Sequence, residues 1–112
     1  MEQQRSMCPI SCALDLVGDK WTLLILRDLL LGKTRYSELS ASPETIPSNL
    51  LATRLRKMEA EGLLSRVQYS HRPPRFEYRL TQKGKSLLPT MRELARWSAR
   101  HIEAAANPPP PF

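Results

Sequence analysis

Two hydrophobic rhythms divide the chain. Up to Ser40, and again from Ser48 to Glu61, apolar residues recur every three or four positions, the spacing of one helix face. Between Leu64 and Leu80 the period drops to two, with Phe76, Tyr78 and Leu80 alternating against Glu77 and Arg79 as in a half-buried strand. Glycine and proline supply the punctuation. Pro9 suits the first position of a helix that stops at Gly18 and is expected to turn Ile10, Ala13, Leu14 and Val17 inward. Asp19 caps a second helix, Lys20 to Leu31, ending at Gly32; its near-continuous apolar content predicts a buried central post. A short helix, Tyr36–Ser40, leads through a Ser/Pro/Thr-rich turn, Ala41–Pro47, into an amphipathic helix, Ser48–Glu61, stopped by Gly62.

Strands are predicted at Leu64–Tyr69 and Phe76–Leu80, joined by a basic loop, Ser70-His-Arg-Pro-Pro-Arg75. Thr81 caps a C-terminal helical region reaching about Ala106, which Pro89 either kinks or divides. Leu87, Leu88, Met91, Leu94, Ala95, Ser98, Ile102 and Ala105 form one stripe of that region. Residues 1–7 are expected to be flexible and residues 107–112, with four successive prolines, to form a disordered tail. The fold class this implies is α+β, mostly α: a winged helix-turn-helix in a single domain spanning 8–106.

The 112 residues carry a net charge of +6, which favours a polyanionic partner. The charge concentrates in the helix at 48–61 and the loop at 70–79. On that helix Ser48, Asn49, Ala52, Thr53 and Arg56 share one face, while Leu51, Leu55 and Met58 share another that packs on the domain. Small hydrogen-bonding side chains allow a helix to sit deep against base edges, with Arg56 and Lys57 nearer the phosphates. Arg72 and Arg75, on a proline-stiffened tip, suit a minor groove and its bordering phosphates. Taken singly, each feature also reads as a solvated surface helix and a plain hairpin; their order is what points to duplex DNA.

The apolar stretch Trp21–Leu31 is about half of what a bilayer span requires, and no secretory leader opens the sequence. Two cysteines, Cys8 and Cys12, make no disulfide framework and close no zinc site, so a reducing cytosol is expected. The two histidines, His71 and His101, have no nucleophile–base set around them, and no glycine-rich phosphate loop is present; an enzyme is not expected, nor a cofactor or metal.

The chain resembles the HxlR family of winged-helix bacterial transcriptional regulators, relatives of the MarR group. The resemblance rests on Cys8-Pro9, Gly18-Asp-Lys-Trp-Thr-Leu-Leu-Ile-Leu-Arg27, Arg35-Tyr-Ser-Glu-Leu39, Ile46-Pro-Ser-Asn-Leu-Leu51 and Arg54-Leu-Arg-Lys-Met-Glu59. It continues through Gly62-Leu63, Tyr69, Pro73-Pro-Arg75, Glu77-Tyr78, Leu80-Thr81, Gly84 and Trp97. At the start of the groove helix Pro47-Ser48 stands where many members have Ser followed by Pro. The resemblance implies a homodimeric repressor on pseudo-palindromic double-stranded operator DNA, the helix at 48–61 in the major groove and the hairpin tip in the adjacent minor groove. It also implies dimerisation through the N- and C-terminal helices, with Ile10, Leu87, Leu88, Met91, Leu94, Ala95 and Ile102 at the interface.

If Pro9 opens the first helix, Cys8 sits at its cap, where the helix dipole and free N–H groups favour a thiolate. The resemblance implies a switch for oxidants or electrophiles at this cysteine; a small apolar contact in a dimer interface is the competing reading, and Cys12 is the weaker candidate. A Cys8–Cys12 bond within one helix would be strained, so an intersubunit bond or adduct is the expected form. Two other readings stay open: a MarR-like regulator answering a non-covalent small-molecule inducer, in a pocket lined by Trp21, Tyr36, Phe76 and Trp97, and a winged-helix module for protein or RNA.

Overall fold

A computed structural model describes residues 6–103, so the expectations for residues 1–5, for Ala105 and for the tail at 107–112 lie outside it. The elements are α1 (Pro9–Val17), α2 (Thr22–Leu30), α3 (Tyr36–Ser40), α4 (Ser48–Ala60), β1 (Leu64–His71), β2 (Pro74–Leu80), α5 (Gln82–Lys85) and α6 (Leu88–His101).

Asp19 caps α2 as its position predicts: Oδ1 accepts from the N–H groups of Trp21 and Thr22 at 2.8 and 2.9 Å. The helix begins later than expected because Lys20 and Trp21 belong to the turn that carries this cap. It is also less enclosed. Ile25, Leu26 and Leu29 enter the core, whereas Leu31 at the C-cap is exposed. Leu26, Leu39, Leu51, Leu55, Met58, Leu63 and Leu64 are fully buried and join α2, α3, α4 and the base of the hairpin in one cluster. Each such side chain contributes about 2 kcal/mol of apolar burial.

α4 closes on Gly62, whose φ of 77° is the left-handed conformation that a helix-ending turn uses. β1 and β2 then pair antiparallel from Leu64↔Leu80 to His71↔Pro74, with a bulge at Tyr69 between Gln68 and Ser70. Pairing therefore runs further than predicted, and the expected six-residue loop contracts to a turn at Arg72-Pro73. The N–H of Tyr78 donates to the carbonyl of Thr34 at 2.7 Å, tying the free edge of β2 to the α2–α3 connection. Below the hairpin, the Thr81 hydroxyl accepts from the Gly84 N–H at 3.1 Å and donates to the Gly62 carbonyl. Gly84 is required for that closure, since a Cβ there would lie 2.1 Å from the Leu63 carbonyl oxygen.

The C-terminal region is two helices, not one kinked rod: α5 ends at Lys85, and Pro89 lies in the first turn of α6. The predicted stripe splits accordingly. Met91 is buried in the protomer's core and Leu87 packs against it, which removes Met91 from any surface a second subunit could touch. Leu94, Trp97 and Ile102 stand exposed on α6 instead. On α1, Ile10, Ala13 and Leu14 point outward rather than inward; Ile10 is 72% exposed. The architecture is a winged helix-turn-helix, mostly helical with a two-stranded wing.

Candidate nucleic-acid interface

The helix-turn-helix is α3, the turn 41–47 and α4. Its amphipathic division is as the spacing predicts: Leu51, Leu55 and Met58 are buried, while Ser48, Asn49, Thr53 and Arg56 are exposed and Ala52 is half-buried. Pro47 occupies the N-cap and supplies no side-chain acceptor. The start of the helix is held from α3 instead, where the Tyr36 hydroxyl donates to the Ser48 carbonyl at 2.6 Å and lies 3.0 Å from Ser48 Oγ. Thr53 returns its hydroxyl proton to the Asn49 carbonyl at 2.9 Å, and Arg56 lies over it at 3.4 Å. These are the groups of α4 that remain available to an incoming partner.

Lys57 does not belong with them. Its Nζ donates to the Asp15 carbonyl at the end of α1, 3.3 Å away, and pairs with Glu61 at 3.3 Å. One turn earlier, Arg54 reaches Asp19 at 3.1 Å. Two cations of α4 thus fasten its inner side to α1 and to the cap of α2.

On the wing, Arg72 and Arg75 are exposed at the turn, where the Ser70 hydroxyl donates to the Pro73 carbonyl at 3.0 Å. Sequence reasoning missed two further cations. Arg66 lies 3.9 Å from the Phe76 ring centre, and Arg35, at the cap of α3, lies 4.8 Å from that of Tyr69. Alternation gave β2 a half-buried face but could not pair Phe76 with a cation on the neighbouring strand. The Tyr78 hydroxyl is pushed up from its ordinary range by burial first, and its charged neighbours are Arg66 of the wing together with Glu59 and Arg56 of α4. Charges from both α4 and the wing thus act on one aromatic side chain.

The turn itself is locked in a way no local pattern announces. Arg27 of α2 forks onto Glu44, with Nη1 and Nη2 each 2.7 Å from a carboxylate oxygen. The same guanidinium donates to Asp28 at 2.9 and 3.1 Å and to Ser42 Oγ at 3.1 Å, and Ser42 donates to Glu44 at 2.8 Å. The Arg27 fork holds the Glu44 carboxyl down at about 2 and raises the guanidinium's own pKa. The next residue, Thr45, has φ of 60°, a left-handed conformation costing a β-branched side chain about 1–3 kcal/mol.

Cys8 is the N-cap of α1 and is exposed. Its thiol lies below the ordinary cysteine range because the Ser11 and Ile10 N–H groups face it. Cys12 is half-buried, its Sγ donating to the Ser6 carbonyl at 3.5 Å. Among the described residues no cluster of His, Cys, Asp and Glu could hold a metal, and no helix is long and apolar enough to cross a membrane.

A helix-turn-helix followed by an arginine-bearing wing defines a transcriptional regulator of the winged-helix class. The family model for HxlR-like helix-turn-helix proteins matches residues 16–106, and the chain belongs to that family. It is 36% identical over 102 residues to the HTH-type transcriptional regulator YtcD of Bacillus subtilis, covering 91% of this chain and 81% of that one. The crystal structure of YtcD superposes with a TM-score of 0.80 at 37% identity, over 87% of this chain and 99% of that chain. The reduced form of the B. subtilis transcriptional regulator YodB gives 0.74 at 30% identity, over 88% and 98%. The redox regulator HypR in its reduced form gives 0.76 at 30% identity, over 87% and 98%.

Proposed function

We propose that the chain is a homodimeric repressor that binds double-stranded operator DNA sequence-specifically and senses oxidants or electrophiles through Cys8. The observation that carries the DNA reading is the exposed face of Ser48, Asn49, Thr53 and Arg56 on a helix that buries Leu51, Leu55 and Met58, followed in the chain by a wing whose turn exposes Arg72 and Arg75. Ser48, Asn49, Ala52 and Thr53 read bases; Arg56, Arg72 and Arg75 meet phosphates or the minor groove. Lys57 acts from behind, holding α4 against α1.

Support for the dimer is the apolar surface that α1 and α6 leave uncovered: Ile10, Leu14, Leu94, Trp97 and Ile102, with half-buried Leu88 and Ala95 along the same helix. Two copies joined there place two groove helices about one DNA turn apart. Support for sensing is the exposed Cys8 thiol at a helix start, in a fold shared with a regulator described as a redox regulator.

The test begins with selection from a random-sequence duplex library. Enrichment of a pseudo-palindromic site is expected, bound with an affinity that falls steeply as salt rises. Arg72→Ala and Arg75→Ala should each weaken all duplexes and lower the salt slope by about one, whereas Asn49→Ala and Thr53→Ala should relax preference between sequences. A chain that enriches no duplex, or binds one with no salt dependence, is not a DNA reader.

A further inference from the structure

We propose that Arg27 is a positioning residue for the groove helix: by clamping Glu44 and Ser42 it holds Thr45 in the left-handed conformation that fixes the direction in which α4 leaves the turn. The inference rests on the DNA reading above and adds a residue that lies outside the contact surface proposed there. Three observations converge on it. Arg27 sits on α2, the helix at the centre of the core, and its side chain is largely enclosed. Its two terminal nitrogens engage both oxygens of Glu44, a geometry that fixes orientation as well as distance. Thr45, which follows Glu44, holds φ of 60° although it is neither Gly nor Asn, and Ile46 beyond it is buried.

The strained residue is therefore gripped from both sides. The ion pair secures the carboxylate before it, and the hydrophobic core secures the side chain after it. A backbone in that conformation persists only where its surroundings over-determine it, and such residues concentrate where geometry serves function. Two residues further on, Pro47 is the N-cap of α4. Releasing Glu44 lets Thr45 relax to negative φ and turns the axis of α4, while leaving every DNA-facing side chain in place on the helix.

The experiment compares wild type with Arg27→Gln, Arg27→Lys and the double variant Arg27→Gln/Thr45→Gly. The probes are a duplex enriched from the random library and an unselected duplex of equal length. Arg27→Gln is expected to lose about tenfold on the selected duplex, equivalent to 1.4 kcal/mol, with less than about twofold change on the unselected one, whose binding rests on phosphate contacts. Arg27→Lys, which keeps the charge but cannot fork, falls between. Thr45→Gly in the Arg27→Gln background restores most of the loss, because glycine adopts positive φ without external support.

Amide hydrogen exchange reads the same clamp without DNA. The Thr45 and Leu51 amides, bonded to the carbonyls of Ser42 and Pro47, exchange faster in Arg27→Gln and recover in the double variant, while β1 and β2 amides stay unchanged. Equal loss on both duplexes, no rescue by Thr45→Gly, or unchanged exchange at Thr45 overturns the proposal. If no duplex is ever enriched, the DNA reading fails by itself and the exchange measurement still decides whether the clamp exists.

Discussion

Replacing Asp19 with alanine removes a single carboxylate that serves two helices, α2 and α4. Its Oδ1 accepts the Trp21 and Thr22 N–H groups, a second oxygen takes the Thr22 hydroxyl, and Arg54 of α4 closes on it at 3.1 Å. Loss of an N-cap costs about 1 kcal/mol. The Thr22 hydroxyl belongs to a residue only 1% exposed, and stripping its acceptor adds about 1 kcal/mol. The Arg54 pair, with side chains 24% and 22% exposed, adds about 0.5 kcal/mol after solvent screening. The sum, about 2.5 kcal/mol, lowers Tm by roughly 10 °C for a domain of this size.

The charge also gives this prediction a pH signature. Burial pushes the Asp19 carboxyl up, and the Thr22 hydroxyl, the two backbone N–H groups and Arg54 together outweigh it, so the folded value lies below the ordinary one. A depressed carboxyl stabilises the fold above its unfolded pKa of about 4 and loses that contribution as pH falls toward the folded value. Urea titrations followed by circular dichroism, at one fixed protein concentration, should give the full difference between wild type and Asp19→Ala at pH 7 and a shrinking one below about pH 4. A difference under about 0.5 kcal/mol at pH 7, or one unaltered on acidification, would refute the reasoning.

Trp97→Glu places a charge on the exposed apolar face of α6, which lies outside the core. Sedimentation equilibrium at micromolar concentration should show a dimer for wild type and monomer for the variant, with circular dichroism unchanged; two identical dimers would discard this face as the interface. The exposed Cys8 thiol should react with iodoacetamide along a pH profile centred below that of an ordinary cysteine, and Cys8→Ser should abolish the fast phase, leaving the slower half-buried Cys12. A fast phase surviving in Cys8→Ser would assign the reactivity elsewhere.

Most of the fold was legible because its signals are local. Asp19, Gly62 and Thr81 announce helix ends by chemistry that acts within three residues, and all three act as written. The α4 division into buried and exposed faces followed from periodicity alone. What escaped the sequence depends on distance along the chain or on what lies opposite. The Arg27–Glu44 clamp joins positions 17 residues apart, and nothing near either residue foretells the other. Apolar spacing marks Ile10 and Leu14 as wanting cover without saying whether the core or a second molecule supplies it, and the protomer leaves both exposed. For the same reason Met91 was assigned to the interface although the core takes it, and Lys57 to the phosphates although Asp15 and Glu61 engage it. The wing came out longer because Pro74, barred from donating, still fits at the end of β2 opposite His71.

The bond from Lys57 to the last turn of α1 ties that helix straight to α4. Cys8 caps its start and Asp15 lies in its last turn, about 10 Å further along the helix axis. Residues 42 apart in the chain are thereby braced against each other without any intervening loop.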